Sequence, residues 1–181
     1  GSEMTGGMFD SYGIKRRGYY VASIEEAAER WRTALGAGPF VDLGVSNNEN
    51  VDIRGERVSL DMRTALGHVN DIQIELIEVV SEGPDPYHES GRYGLHHFCI
   101  YADDVDAAVK QMENAGMALA MRMTSGQGME IAYLDARNLL GQYIEVTTPS
   151  EQLWQGIKAI HEKSPADAPA LMPMSALMGS N

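Results

Sequence analysis

Apolar and polar positions in this chain repeat at about half its length. Tyr19-Tyr20-Val21 leads to Ser23 and then to Ile24-Glu25-Glu26-Ala27-Ala28, while Ile100-Tyr101-Ala102 leads to Asp104 and then to Val105-Asp106-Ala107-Ala108. Ala27, Ala28, Trp31 and Leu35 recur at helical spacing, as do Val105, Ala108, Val109 and Met112. Ser23 and Asp104 suit a helix start, where a side-chain oxygen accepts an orphan backbone N–H, and Glu26 completes a capping box with Ser23. Both helical runs meet a glycine, Gly36 and Gly116, as a C-terminal stop should. The two caps lie 81 residues apart, so the chain reads as a duplicated unit.

Each helix is followed by strand patterns. Val58-Ser59-Leu60-Asp61-Met62 alternates and 71–80 is strongly β-forming; in the second unit 118–123, 130–134 and 142–147 read as strands, with turns at Gly126-Gln127-Gly128 and 138–141. The pattern predicts an α+β protein of two tandem βαβββ modules, at 14–82 and 94–149, joined by a linker at 83–93 that Gly83-Pro84-Asp85-Pro86 breaks open. Residues 1–13 read as a leader in which Gly1-Ser2 has the look of a tag remnant. Residues 150–181 read as a C-terminal helix, with Leu153, Trp154, Ile157 and Ile160 apolar, then a Pro-, Ala- and Met-rich tail suited to docking on a neighbour such as a second subunit.

Composition narrows the function classes. A net charge of −12 argues against a nucleic-acid partner, because phosphate binding needs a basic surface. No stretch approaches a membrane span and no secretory leader opens the chain. A single cysteine, Cys99, excludes an internal disulfide and fits a reducing cytoplasm. It lies in an apolar strand, where a free thiol behaves as a small core hydrophobe rather than a nucleophile.

Three strings place ligand-type groups inside strands: Gln73-Ile74-Glu75-Leu76-Ile77, Gly94-Leu95-His96-His97-Phe98 and Tyr143-Ile144-Glu145-Val146. Strand alternation puts Gln73 and Glu75 on one face, Tyr143 and Glu145 on one face, and His97 with Leu95 and Cys99. Alternation alone does not separate a wet outer face from the concave wall of a half-barrel. His96 and His97, being adjacent, are expected on opposite faces; His68, His88 and His161 are expected at the surface. Two carboxylates with one imidazole suit a divalent ion such as Mn, Fe, Co, Ni or Zn.

With these strings, the paired modules and Leu35-Gly36-Ala37-Gly38-Pro39-Phe40 after the first helix, the chain over roughly 14–148 resembles the vicinal oxygen chelate superfamily. That is the family of glyoxalase I, bleomycin-resistance proteins, extradiol dioxygenases and methylmalonyl-CoA epimerase, and the resemblance is to its epimerase-like or glyoxalase-like branch. It implies a half-barrel cavity and metal ligands from the first and last strand of each module. Carried over by position, these fall on Glu75, His97 and Glu145, and the fourth falls on Arg16. Arginine has no lone pair to give a metal. The resemblance therefore leaves three outcomes: one divalent ion on Glu75, His97 and Glu145 with water, the same ion with Gln73 as a substitute ligand at an awkward reach along its strand, or no ion, with Arg16 holding the site or clamping an anionic substrate.

The expected activity is that of an isomerase, epimerase or lyase that removes a proton beside a carbonyl. Glu145 or Glu75 is the base, and a metal or Arg16 stabilises the enolate. Arg16, Tyr19, Met62 and Tyr133 are the expected substrate contacts, for a small hydrophobic or aromatic molecule. The alternative is a metal-free binding or resistance-type protein of the same fold. An extradiol dioxygenase, which needs two histidines and a carboxylate, fits less well because Arg16 takes the place of one histidine. A homodimer is expected from the resemblance.

Overall fold

The computed structural model describes residues 13–178, so of the leader only Gly13 is among them. The first half runs β1 (Ile14–Tyr20), α1 (Ile24–Leu35), β2 (Phe40–Ile53), β3 (Glu56–Val69) and β4 (Ile72–Val79). A short helix α2 (Pro86–Ser90) leads into β5 (Gly94–Tyr101), α3 (Val105–Asn114), β6 (Ala118–Thr124), β7 (Glu130–Ala136), the single turn α4 (Arg137–Leu140) and β8 (Gln142–Thr147). Helix α5 (Glu151–Lys163), strand β9 (Leu171–Pro173) and a 3-10 turn at Met174–Leu177 complete the chain. No described helix is long and apolar enough to cross a membrane.

The duplication is real in three dimensions. The spatial order is β2-β3-β4-β1 in the first half and β6-β7-β8-β5 in the second, and β1 and β5 join the halves antiparallel. At the far end β2 pairs with β3 and, through Asp52 and Ile53, with β6, so the ladder of strands closes on itself. The helix caps form as their residues dictate: Ser23 Oγ accepts the Glu26 N–H at 3.1 Å and Asp104 Oδ1 accepts the Ala107 N–H at 3.0 Å. Gly36 ends α1 in the left-handed conformation that a residue with a Cβ resists.

Each helix covers the outer face of its own half. Ile24 and Ala28 pack on Ala65, Ile74 and Leu76; Val105, Ala108, Val109 and Met112 pack on Ile100, Leu134 and Ile144. Ile157 of α5 packs on Val41 and Leu66. The inside of the closed sheet has its own cluster, with Val51, Leu60, Ile77, Tyr87, Met121 and Tyr133. Burying each large side chain contributes about 1.5–3 kcal/mol, which lets the same interior tolerate a few costly polar groups.

The structure departs from the sequence reading in places. Strand β2 was not located from pattern, because Ser46-Asn47-Asn48-Glu49-Asn50 is polar; it forms as one arm of a long hairpin turned by Arg54 and Gly55 at positive φ. Part of the tail docks on its own chain. Strand β9 pairs parallel with β2, and Arg32 donates to the carbonyls of Pro165, Ala166 and Ala168. Leu35 is exposed, since the stripe of α1 that faces the sheet ends a turn earlier.

Candidate active site

The strand register brings four of the sequence-selected residues together. On β1 and β4, Arg16 lies beside Gln73 and Gly18 beside Glu75; on β5 and β8, His97 lies beside Tyr143 and Cys99 beside Glu145. Gly18 faces His97 across the β1–β5 seam. A Cβ at residue 18 would sit 2.3 Å from the His97 ring, so the imidazole occupies the space that only glycine leaves.

At the centre, His97 Nε2 lies 3.4 Å from Glu75 Oε1 and 3.3 Å from Glu145 Oε1. Arg16 Nη2 donates to Glu145 Oε1 at 3.5 Å, and Arg16 Nε lies 3.7 Å from Glu75 Oε1. Despite this proximity, Arg16 Nε, Glu75 Oε1 and His97 Nε2 are buried without a hydrogen-bond partner, and the 3.7 Å contact between Arg16 and Glu75 is too long to be one. One donor atom from each of Glu75, His97 and Glu145 lies within 4.8 Å of the others.

Electrostatics follow from this packing. Burial disfavours the charged form of His97, but Glu145 and Glu75 more than offset it, and the imidazole holds a proton more tightly than usual. Burial likewise opposes the Glu145 carboxylate, and Arg16 and His97 reverse that and keep it ionised. Burial and the same carboxylates push the phenols of Tyr87 and Tyr133 well above their ordinary range, so both stay neutral. Their hydroxyls hydrogen-bond to each other.

The cluster opens into a cavity of about 230 Å3. Arg16, Glu75, Glu145, Tyr87 and Tyr133 form its polar end, and Leu43, Met62, Leu66, Met121, Met129 and Ile131 form much of the rest. Met62 and Tyr133 thus line the cavity, as expected of them. Tyr19 does not: Arg16 and Gly18 face inward, so alternation turns Tyr19 outward under α1, against Trp31 with ring centroids 5.0 Å apart.

Several residues escaped the sequence reading. Tyr87 enters from α2 in the linker, where no periodicity marks it. Tyr101, whose hydroxyl takes Arg16 Nη1 at 3.5 Å and Ser150 Oγ at 2.9 Å, was visible only as a strand residue. His96 was expected on the opposite face from His97. A β-bulge overturns this: Gly18 pairs with His97 but Tyr19 pairs with Leu95, and the extra residue His96 turns inward. Its Nδ1 lies 2.9 Å from His97 Nδ1. Burial, then the neighbouring His97, lower its pKa to about 3, so it is neutral. His68, expected at the surface, is fully buried on β3 against Trp154, and burial lowers its pKa to about 4. Cys99 is buried and lies 3.6 Å from Thr147 Oγ1, and burial pushes its thiol up, as befits a core residue.

Comparison with known proteins agrees with the geometry. The profile of the Glyoxalase/Bleomycin resistance protein/Dioxygenase superfamily matches residues 16–133. Among solved structures, a hypothetical protein from Bacillus halodurans superposes with a TM-score of 0.55 at 20% identity, covering 77% of this chain and 96% of its own. Methylmalonyl-CoA epimerase from Mycobacterium tuberculosis gives 0.51 at 19% identity, covering 78% and 90%. A Streptomyces coelicolor methylmalonyl-CoA epimerase in complex with 2-nitronate-propionyl-CoA gives 0.54 at 19%, covering 77% and 95%. No curated protein matches the sequence.

Proposed function

Because the chain belongs to the glyoxalase/bleomycin resistance protein/dioxygenase superfamily, we propose that it is an isomerase, epimerase or lyase that removes a proton beside a carbonyl of a small, largely apolar substrate. One observation carries this reading. Two carboxylates at equivalent strand positions, Glu145 buried and Glu75 partly so, face one cavity, with a histidine and an arginine between them. Glu145 is held ionised by Arg16, whereas Glu75 keeps an oxygen without a hydrogen-bond partner and is the freer proton acceptor. Arg16, with most of its donors unspent, presents fixed positive charge to the oxygen on which enolate charge develops. The Tyr87 and Tyr133 hydroxyls have two protons and need one for each other, so one remains to donate to a substrate oxygen.

Glu75, His97 and Glu145 fit a divalent ion: the donors are of the right type, they converge, and two of them have no other partner. Bound there, the ion would supply Lewis-acid polarisation of the carbonyl. Arg16 weakens that affinity. Arg16 and a protonated His97 already balance the two carboxylates, and exchanging that proton for a divalent ion leaves excess positive charge beside the guanidinium. The same balance favours, as second reading, a metal-free binding protein.

Proton exchange with solvent separates the two. The protein is incubated in D2O with 2-substituted thioesters, methylmalonyl-CoA among them, and with 2-hydroxy ketones, and deuterium beside the carbonyl is read by NMR. We expect incorporation with at least one compound, lost in Glu75→Gln. Compounds that bind without exchanging a proton would replace the enzyme reading by the binding one. The expected homodimer belongs to the same reading and is measured by sedimentation.

A further inference from the structure

We infer that His96 is a positioning residue: anchored by the Pro86 carbonyl, it holds the Nδ1 proton of His97, so that Nε2 is the His97 nitrogen that offers a proton, or a lone pair to an ion, towards Glu75 and Glu145. Pro86 O can only accept, so His96 Nε2, 2.9 Å away, carries a proton. Both ring nitrogens of His96 meet groups without negative charge, Pro86 O and His97 Nδ1. The ring is buried and stacked between Tyr87, at 4.4 Å, and Tyr143, at 4.5 Å. A second proton there would be a buried charge with no partner, so the ring has one N–H and its Nδ1 is an acceptor. The donor in the His96–His97 contact is then His97 Nδ1–H. With that proton placed, Nε2 is the nitrogen that faces the two carboxylates, holding a proton between them or giving it up for an ion.

The fold fixes both ends of this relay. The bulge that pairs Gly18 with His97 but Tyr19 with Leu95 turns two adjacent histidines inward, which regular alternation forbids. The Pro86 carbonyl is pinned because Asp85 caps α2, its Oδ1 accepting the Tyr87 and His88 N–H groups, both at 2.8 Å. The consequence for ion or proton capture at His97 rests on the reading given under Proposed function; the tautomers do not.

Two measurements test it. In apo protein labelled with 15N-histidine, long-range 1H–15N correlations at neutral pH should show His96 as the neutral Nε2–H tautomer and His97 protonated at Nδ1. A proton on His96 Nδ1 would overturn the inference. Calorimetric titration with Co2+ then compares His96→Leu with His96→Asn, whose side-chain oxygen can replace the lost acceptor. Loss of the partner in His96→Leu should weaken Co2+ binding about 10- to 100-fold, with His96→Asn within about threefold of the unsubstituted protein. Unchanged affinity in His96→Leu counts against the inference. If the unsubstituted protein takes up no Co2+, the divalent-ion part of the proposed function falls, and the tautomer measurement decides the role of His96 by itself.

Discussion

In the first half of the molecule Arg16 and Gly18 lie on β1 beside Gln73 and Glu75 of β4; in the second, His97 and Cys99 lie on β5 beside Tyr143 and Glu145 of β8. The backbones are equivalent and the last-strand carboxylates are the same residue type. The inward residue two positions before the seam differs in kind. One half offers a cation that cannot be neutralised, the other an imidazole that can hold a proton or an ion. The two halves therefore share a frame and differ at one inward position, where one carries a fixed charge and the other an exchangeable one.

The comparison can be broken at several points. The largest effect is expected from the carboxylates: Glu75→Gln should lower any solvent exchange about 10²- to 10⁴-fold with substrate binding retained, measured by NMR. Glu145→Gln should lose activity similarly and also lower stability, because the one carboxylate left to Arg16 is then Glu75, at the longer distance. Next, Arg16→His makes the halves alike. It removes a positive charge and adds a ligand, so Co2+ or Zn2+ affinity should rise about tenfold or more by calorimetry. Equal affinity would show that the guanidinium does not oppose ion binding.

Smaller effects concern the scaffold. Gly18→Ala should cost about 1–3 kcal/mol in chemical denaturation, since the methyl meets the His97 ring. Its counterpart Cys99→Ala, which empties a little space, should cost about 1 kcal/mol. The last test uses pH. His68 has a folded pKa of about 4, below its unfolded value, so the unfolded chain binds the proton first as pH falls. Its contribution is complete above about pH 6.5 and is lost on acidification through 4, on the order of 3 kcal/mol. His68→Gln should flatten the stability profile in that window.

Much of this was legible in the sequence, for physical reasons that can be named. The caps at Ser23 and Asp104 are local chemistry, and the spacing between them located the second half from the first. Glu75, His97 and Glu145 stood out because ionisable groups in apolar strands need a reason. Arg16 emerged only through the repeat. What stayed hidden was non-local or irregular. Strand β2 is held by its hairpin partner and not by its own polar sequence. The inward turn of His96 depends on a bulge that no alternation rule anticipates. Tyr19 lies outside by plain alternation, since it follows the inward-facing Gly18, and it packs on Trp31.

The segment between the halves carries a consequence of its own. Helix α2 delivers both the Tyr87 ring in the cavity wall and the carbonyl on which His96 leans. In a tandem pair there is only one junction, so this wall has no twin. Cutting the chain between Gly83 and Gly94 would not return two equal half-sites, because whichever piece kept the tether would keep the wall. The pocket is lopsided before any side chain is changed: two units set end to end have two frames and a single hinge piece, and here the hinge piece is part of the room.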